Sequence, residues 1–153
     1  MYDIKPMERA FKEAKRAFSK EEVPVGVVIV DATGTIIATA HNEMVQRKDP
    51  TAHAELLAIQ QACRLNKKGR LEDCDIYVTL EPCPMCAQAI SFARLRRLYF
   101  GAYDLKGGGV DHGPRIFNSS SCHHIPETVG GLEEERCSQL LIKFFEKVRG
   151  ASS

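Results

Sequence analysis

Two short stretches decide the fold and its chemistry: Pro-Thr-Ala-His-Ala-Glu at residues 50–55 and Glu-Pro-Cys-Pro-Met-Cys at residues 81–86. Together they offer one imidazole, His53, and two thiols, Cys83 and Cys86, which are ligands that zinc accepts. Three protein ligands leave the fourth tetrahedral position open for water, as in catalytic zinc sites and unlike closed structural ones. Glu55 is then available as a proton carrier.

The spacing within each stretch predicts where it lies. Cys83 and Cys86 are three residues apart and would share one face of a helix, about 60° apart. In a first helical turn, the positive end of the helix dipole would favour their thiolates. His53 and Glu55 are two residues apart and would diverge by about 200° in a regular helix. They can address one site only if His53 lies at a helix entrance.

Two other interpretations of the cysteines remain open at this stage. A Cys-x-x-Cys pair in an α/β protein is also typical of thioredoxin-like redox sites. A structural zinc site would need a fourth protein ligand, for which Cys122, His123 and His124 are candidates. Their loop has no matching spacing, so the three-ligand catalytic site is preferred.

Outward from these motifs, helical and strand-like segments alternate. The pattern predicts helices over residues 6–19, from 50–51 to 66–70, over 82–93 and over 132–149, and strands over 23–30, 35–40, 75–80 and 97–102. A short helix near 115–118 and a short strand or turn at 128–129 are weaker features. This alternation predicts a three-layer α/β/α sandwich around a mixed sheet. Gly26 lies inside the first predicted strand. A glycine there indicates either the close approach of a ligand or another backbone, or a local adjustment of packing.

Composition describes one ordinary globular domain. The chain has 153 residues, 44% of them hydrophobic, and a net charge of +1, which neither requires nor excludes a polyanionic partner. The sequence shows no signal peptide or membrane span, which predicts a cytoplasmic protein without membrane association. The other four cysteines are predicted to be free and mostly buried: Cys63, Cys74, Cys122 and Cys137.

The same motifs carry a family resemblance. His-x-Glu followed by Pro-Cys-x-x-Cys is the signature of zinc nucleobase deaminases. With residues 22–26, 41–42, 49–55, 77–83 and 100–106, the chain resembles the bacterial tRNA-specific adenosine deaminases, within the cytidine-deaminase-like superfamily. The resemblance implies a single zinc-dependent deaminase domain over residues 1–153, a central five-stranded sheet and a homodimer. It also implies a hydrolase that converts the wobble adenosine of a tRNA anticodon stem-loop to inosine.

The resemblance further implies substrate contacts. Asn42 would hydrogen-bond the target base, and the backbone around Ala54 and Pro82 would touch it. Four more positions match family contacts with the anticodon loop: Asp104, Lys106, Phe145 and Arg149. For Phe145, a core aromatic on an amphipathic helix is the alternative. Residues 122–124 replace an asparagine that touches the RNA in some relatives.

The expected mechanism follows from zinc chemistry. A catalytic Zn²⁺ lowers the pKa of its bound water to about 7 and so provides hydroxide at neutral pH. Hydroxide would attack C6 of adenine while Glu55 delivers the proton of the water to the adjacent ring nitrogen, and Glu55 would later protonate the leaving amine.

Two alternative functions share some of these features. A free-base or nucleoside deaminase, acting on guanine or cytidine, would use the same zinc site, and Pro84 is also familiar from guanine deaminases. A non-catalytic partner subunit would bind RNA or protein without turnover. Glu55 argues against that second alternative, because such a subunit has no use for the carboxylate.

Overall fold

Helices and strands alternate around one five-stranded sheet. The computed structural model describes residues 5–151, and its elements follow in chain order: α1 (Lys5–Ser19), β1 (Gly26–Val30), β2 (Ile36–His41), α2 (Met44–Arg47), α3 (Ala54–Asn66), β3 (Asp75–Leu80), α4 (Pro84–Phe92), β4 (Arg97–Ala102), a 3₁₀ turn (Ile116–Asn118), β5 (Glu127–Val129) and α5 (Glu134–Ala151). The prediction that no signal peptide is present concerns the N-terminus, of which residues 1–4 lie outside the described range.

The sheet is mixed, as predicted. Its strand order is β2-β1-β3-β4-β5. β1 runs antiparallel to both β2 and β3, whereas β3, β4 and β5 are parallel. The register pairs Gly26 with His41 and Leu80 with Ala102. The start of β1 and the ends of β2, β3 and β4 therefore meet at one edge, which carries the candidate site.

Side chains of β1 alternate between the two faces of the sheet. Val27 and Ile29 belong to the larger buried cluster, beneath α3 and α4. Val28 and Val30 lie in the second cluster with Met7 of α1. Both faces are therefore apolar and covered, which explains why β1 is an almost continuous β-branched run. The predicted three-layer α/β/α sandwich is confirmed.

Gly26 allows α1 to approach β1 very closely. A Cβ atom at this position would lie 1.9 Å from the carbonyl oxygen of Ala10 and 2.5 Å from the backbone nitrogen of Ala14. The close neighbour is thus the backbone of a helix. No larger residue fits unless the helix moves.

Several predicted boundaries were wrong by two residues or more, including both ends of α5, which spans Glu134–Ala151 rather than residues 132–149. The first strand begins at Gly26 rather than at residue 23, because Pro24 has no N–H for a ladder. Helix α3 begins at Ala54 rather than at residues 50–51, and helix α4 begins at Pro84 rather than at residue 82. As a result, the candidate metal ligands His53 and Cys83 are the residues that directly precede these two helices.

The short helix α2 was not predicted. Its four residues lie between the predicted strand over residues 35–40 and the helix predicted to begin at 50–51. The N–H groups of Val45 and Gln46 donate to the buried carboxylate of Glu22, at 3.0 and 2.7 Å. A carboxylate more than twenty residues away therefore caps this turn.

The cysteines outside the motif behave as expected. All are free thiols; Cys74, Cys122 and Cys137 are buried, and Cys63 is half-buried. Burial raises the pKa of Cys137 to about 11, so it stays protonated and unreactive at neutral pH. Within residues 5–151, no helix has the length and apolar character needed to cross a membrane.

Gly26→Ala tests the close approach of α1. The added methyl group collides with helix backbone, so we expect a loss of about 1–3 kcal/mol or more in the free energy of unfolding, measured by denaturant titration. Gly69→Ala is the control, because nothing lies within 4 Å of a Cβ at that position. It should leave stability within about 1 kcal/mol of wild type. A Gly26→Ala protein as stable as the control would contradict this packing.

Candidate active site

The two ligand motifs lie at equivalent positions in the fold. His53 is the residue before α3, with φ −74° and ψ 145°, and Cys83 is the residue before α4, with φ −70° and ψ 170°. Both backbones are extended, and neither side chain caps its helix. The extended backbone at His53 explains how His53 and Glu55 address one site despite their spacing. The predicted helix-entrance position of His53 is confirmed.

The three candidate ligand atoms have spacings suited to zinc. His53 Nδ1 lies 3.6 Å from Cys83 Sγ and 3.4 Å from Cys86 Sγ, and all three atoms lie within 4.8 Å of one another. Tetrahedral zinc bonds of ordinary length place a nitrogen and a sulfur ligand about 3.6 Å apart. The residues therefore fit a zinc ion with three protein ligands.

Residues 122–124 do not complete the site. The metal-binding group found in the described residues contains His53, Cys83 and Cys86 alone. The Cys122 thiol instead donates to Ser91 Oγ at 3.2 Å, and His124 Nε2 lies 2.7 Å from the carbonyl oxygen of Leu95. These side chains fasten their loop to the end of α4. The closed structural zinc site was therefore the wrong alternative.

The two thiols are electrostatically unequal. A hydrogen bond from Cys86, reinforced by His53, lowers the pKa of Cys83 to about 4. The same hydrogen bond and burial raise the pKa of Cys86. The Cys86 thiol therefore keeps its proton and donates it to the Cys83 thiolate, and a bound Zn²⁺ would replace that proton, as metal binding to thiols generally does.

Glu55 lies beside the ligands without being one of them. It sits in the first turn of α3, is 4% exposed and does not belong to the three-ligand group. Burial raises the pKa of its carboxyl group to about 7. Near neutral pH such a group can both accept and release a proton, which general acid–base catalysis requires.

Asn42 connects the end of β2 to the start of α3. Its Oδ1 accepts the N–H of Ala54 at 2.9 Å, and its Nδ2 donates to the carbonyl oxygen of Val23 at 3.1 Å. The side-chain amide thus supplies the cap that His53 does not. One N–H and one oxygen lone pair of the amide remain for other contacts.

The four predicted anticodon-loop residues line one cleft. Asp104, Lys106, Phe145 and Arg149 all border a cavity of about 780 Å³ between α5 and residues 102–107. Phe145 is 45% exposed, whereas its neighbour Phe144 is buried at 7%, so Phe144 is the core aromatic. Val23 also borders the cleft, which joins it to the Asn42 end of the site.

Sequence reasoning missed the apolar part of this cleft. Its walls include Leu105, Leu141, Ile142 and Val148. The sequence did contain a signal for it. The second half of α5 has more apolar residues than a single buried helix face requires. Leu105 is 76% exposed, and such side chains suit stacking or apolar contact with a ligand.

Comparison with known proteins agrees with this geometry. The family described as the cytidine and deoxycytidylate deaminase zinc-binding region matches residues 2–102. The fold and the ligand set thus define an enzyme of the zinc-dependent deaminase class, with zinc as its cofactor.

Relatives that match this chain over almost their whole length identify its family more closely. A tRNA-specific adenosine deaminase from Rickettsia typhi is 50% identical over 144 residues, which cover 94% of this chain and 97% of the relative. A solved structure from work on A-to-I editing by tRNA:A34 deaminases at the wobble position is 47% identical, with a TM-score of 0.88 over 90% of this chain and 99% of that one. The chain belongs to the tRNA-specific adenosine deaminase family.

A guanine deaminase is also similar, though over less of its length. The Bacillus subtilis enzyme is 38% identical, with a TM-score of 0.63, over 67% of this chain and 66% of that one. About two thirds of this chain is thus similar in structure to an enzyme named for a different substrate.

Cys83→Ser tests the metal centre. We expect wild-type protein to carry about one zinc per chain and the variant to lose both metal and activity, because serine does not supply a thiolate. Elemental analysis measures the metal content, and Cys63→Ser is the control that should retain zinc. A zinc-free wild type with a Cys83–Cys86 disulfide would favour the redox interpretation instead.

Proposed function

We propose that the protein converts the wobble adenosine of a tRNA anticodon loop to inosine by hydrolytic deamination. The observation that carries this proposal is a buried Glu55 carboxyl beside a three-ligand zinc site. The predicted RNA contacts line a cleft that includes Leu80 and Ala102, at the same end of the sheet. The full-length likeness to tRNA-specific adenosine deaminases supports the choice of substrate.

The chain's own residues supply binding, orientation and proton transfer. His53, Cys83 and Cys86 would hold the zinc, which when bound activates a water as the nucleophile. Glu55 accepts one proton from the water that adds at C6 and passes it to the adjacent ring nitrogen. It then takes the remaining proton from the new C6 hydroxyl and gives it to the amine, which departs as ammonia while C6 becomes a carbonyl. The overall reaction consumes one water and releases one ammonia. Burial of Glu55 keeps its carboxyl near the pKa that both transfers need.

We assign recognition of the target base to residues near the starts of α3 and α4. The amide of Asn42 would hydrogen-bond the target base through its remaining N–H or lone pair, beside the backbone of Ala54 and Pro82. All three residues are buried. The base must leave its stack to reach them, which costs little when the loop is already single-stranded.

The cleft would hold the flanking nucleotides. Lys106 and Arg149 offer positive charge to phosphates, and exposed Phe145 offers a face for base stacking. Asp104 accepts hydrogen bonds from the N–H groups of Lys106 and Gly107, at 3.2 and 2.8 Å, and so shapes this wall. We assign the anticodon loop to this cleft.

We further propose that residues 1–153 form a single deaminase domain that pairs as a homodimer in the cytoplasm, where tRNA is found. Met85 and Phe92 are seven residues apart on one side of α4 and are 38% and 71% exposed. An exposed apolar stripe of this kind is typical of an interface. Sedimentation analysis that finds only monomers would contradict the pairing.

Glu55→Ala separates catalysis from binding. The variant should fold, keep its zinc and bind the RNA, while its rate of inosine formation falls by at least about 100-fold, as for loss of a general acid–base group. Gln60→Ala, on the exposed side of the same helix, should keep full activity. If Glu55→Ala loses zinc, Glu55 is a ligand and the proposed role is wrong.

Salt dependence tests the substrate. We expect inosine formation in an anticodon stem-loop and little or no turnover of free adenosine, guanine or cytidine. Because phosphate contacts release counterions, the logarithm of the apparent affinity should fall by roughly 0.7 per log unit of salt for each single-strand phosphate neutralised. Lys106→Glu should weaken RNA binding without changing the zinc content, whereas Lys68→Glu, beyond the far end of α3, should not.

Guanine deamination is the competing function, favoured by the likeness to the Bacillus subtilis enzyme. A small uncharged base releases no counterions, so its KM should be nearly independent of salt. Robust, salt-independent guanine turnover without inosine in RNA would overturn the tRNA proposal.

A further inference from the structure

Glu81, directly after β3, is the centre of a buried hydrogen-bond cluster. Its side chain has no exposed surface. One carboxylate oxygen accepts the backbone N–H groups of Val110, Asp111 and His112, at 3.2, 2.9 and 3.0 Å. The other accepts the N–H of Asp104 at 3.1 Å and lies 2.8 Å from His112 Nδ1. Five donors from one loop, residues 104–112, thus converge on a single carboxylate.

The glycines of this loop make the convergence possible. A Cβ at Gly108 would lie 2.4 Å from Glu81 Oε2, and one at Gly109 would lie 2.5 Å from the backbone nitrogen of Pro84. The N–H of Gly109 also donates to the carbonyl oxygen of Pro82 at 2.8 Å. The glycine run therefore lies directly against the turn that carries Cys83.

This cluster connects the two parts of the site. At one end of loop 104–112, Asp104 and Lys106 border the cleft. On its inner side, the loop contacts the Cys83 turn through Glu81 and Pro82. Because Glu81 is wholly buried, it cannot touch a ligand in the cleft. Its carboxylate can only fix the distance between the cleft wall and the ligand turn.

We infer that Glu81 is a positioning residue that holds loop 104–112, and with it the RNA-facing wall, in place against the zinc-ligand turn. This inference rests on the proposed function, since the wall matters only if RNA occupies the cleft. A charged acceptor suits the task, because hydrogen bonds to ionised groups are stronger than those between neutral groups.

Asp75 provides a matched control at the opposite end of β3. It is also a buried carboxylate, and its oxygens accept hydrogen bonds from Arg96 Nε and Nη2 at 3.0 and 2.9 Å. These contacts hold the sheet together far from the cleft. Loss of charge at Asp75 and at Glu81 should therefore affect stability in both cases but substrate binding in only one.

The test compares Glu81→Gln with Asp75→Asn as zinc-loaded enzymes acting on an anticodon stem-loop. Glutamine replaces one acceptor oxygen with an NH₂ group that faces N–H donors. We expect KM to rise at least about tenfold with kcat changed by less than about threefold, because binding contacts are lost and the reacting groups are not. Zinc should stay at about one per chain. Amide hydrogen exchange should become faster at residues 104 and 110–112. Asp75→Asn should leave KM unchanged.

Gly108→Ala gives an independent route that keeps the carboxylate. Its methyl group would push against Glu81 Oε2 and displace the loop, so the same selective rise in KM is expected, with Gly69→Ala as control. If Glu81→Gln does not fold, this variant decides the outcome.

Three results separate the possible failures. An unchanged KM in the folded variants would overturn the positioning role, and so would loss of zinc, which would assign the carboxylate to the ligand turn. A wild-type enzyme without activity on RNA would contradict the proposed function instead. Amide exchange without RNA would then still show whether Glu81 holds the loop.

Discussion

The site depends on two helices that begin side by side at one edge of the sheet. A residue that precedes a helix normally uses its side chain to satisfy the helix's first N–H groups. His53 and Cys83 hold this position with extended backbones and make no such bond. Their side chains are therefore left for metal, and for α3 the amide of Asn42 provides the missing cap from another strand. Metal ligation and helix capping are thus divided among different residues.

Distant polar side chains replace local turn signals around this edge. Glu22 caps α2, and Glu81 accepts hydrogen bonds from backbone N–H groups of the loop that follows β4. Each carboxylate is buried, and each is surrounded by N–H donors that offset its loss of hydration. The loops beside the site are consequently fixed by hydrogen bonds to buried carboxylates. Preorganised loops of this kind favour selective binding, because less conformational entropy is lost when the ligand arrives.

The sequence predicted the layers, the mixed sheet and the metal-ligand set, because these follow from periodicity and from short motifs with fixed spacing. It failed where structure depends on residues far apart in the chain. Helix α2 has four residues and no signal of its own, since Glu22 stabilises it from outside. The distinction between Phe144 and Phe145 depends on the exact rotation of α5 against α1, where Phe18 packs on Phe144 with ring centres 5.9 Å apart. The hydrogen bonds of Glu81 were likewise invisible, because the motif shows the carboxylate but not the loop that returns to it.

The cleft has one wall from residues 102–107 and the other from α5, which follows every other element in the chain. Synthesis delivers the zinc ligands first, and domains gain structure as the chain emerges. A nascent chain therefore contains the zinc-ligand residues and Glu55 before it contains the α5 wall of the cleft. With the anticodon loop assigned to this cleft as proposed, the order of the elements along the chain would delay recognition of RNA until α5 has been made.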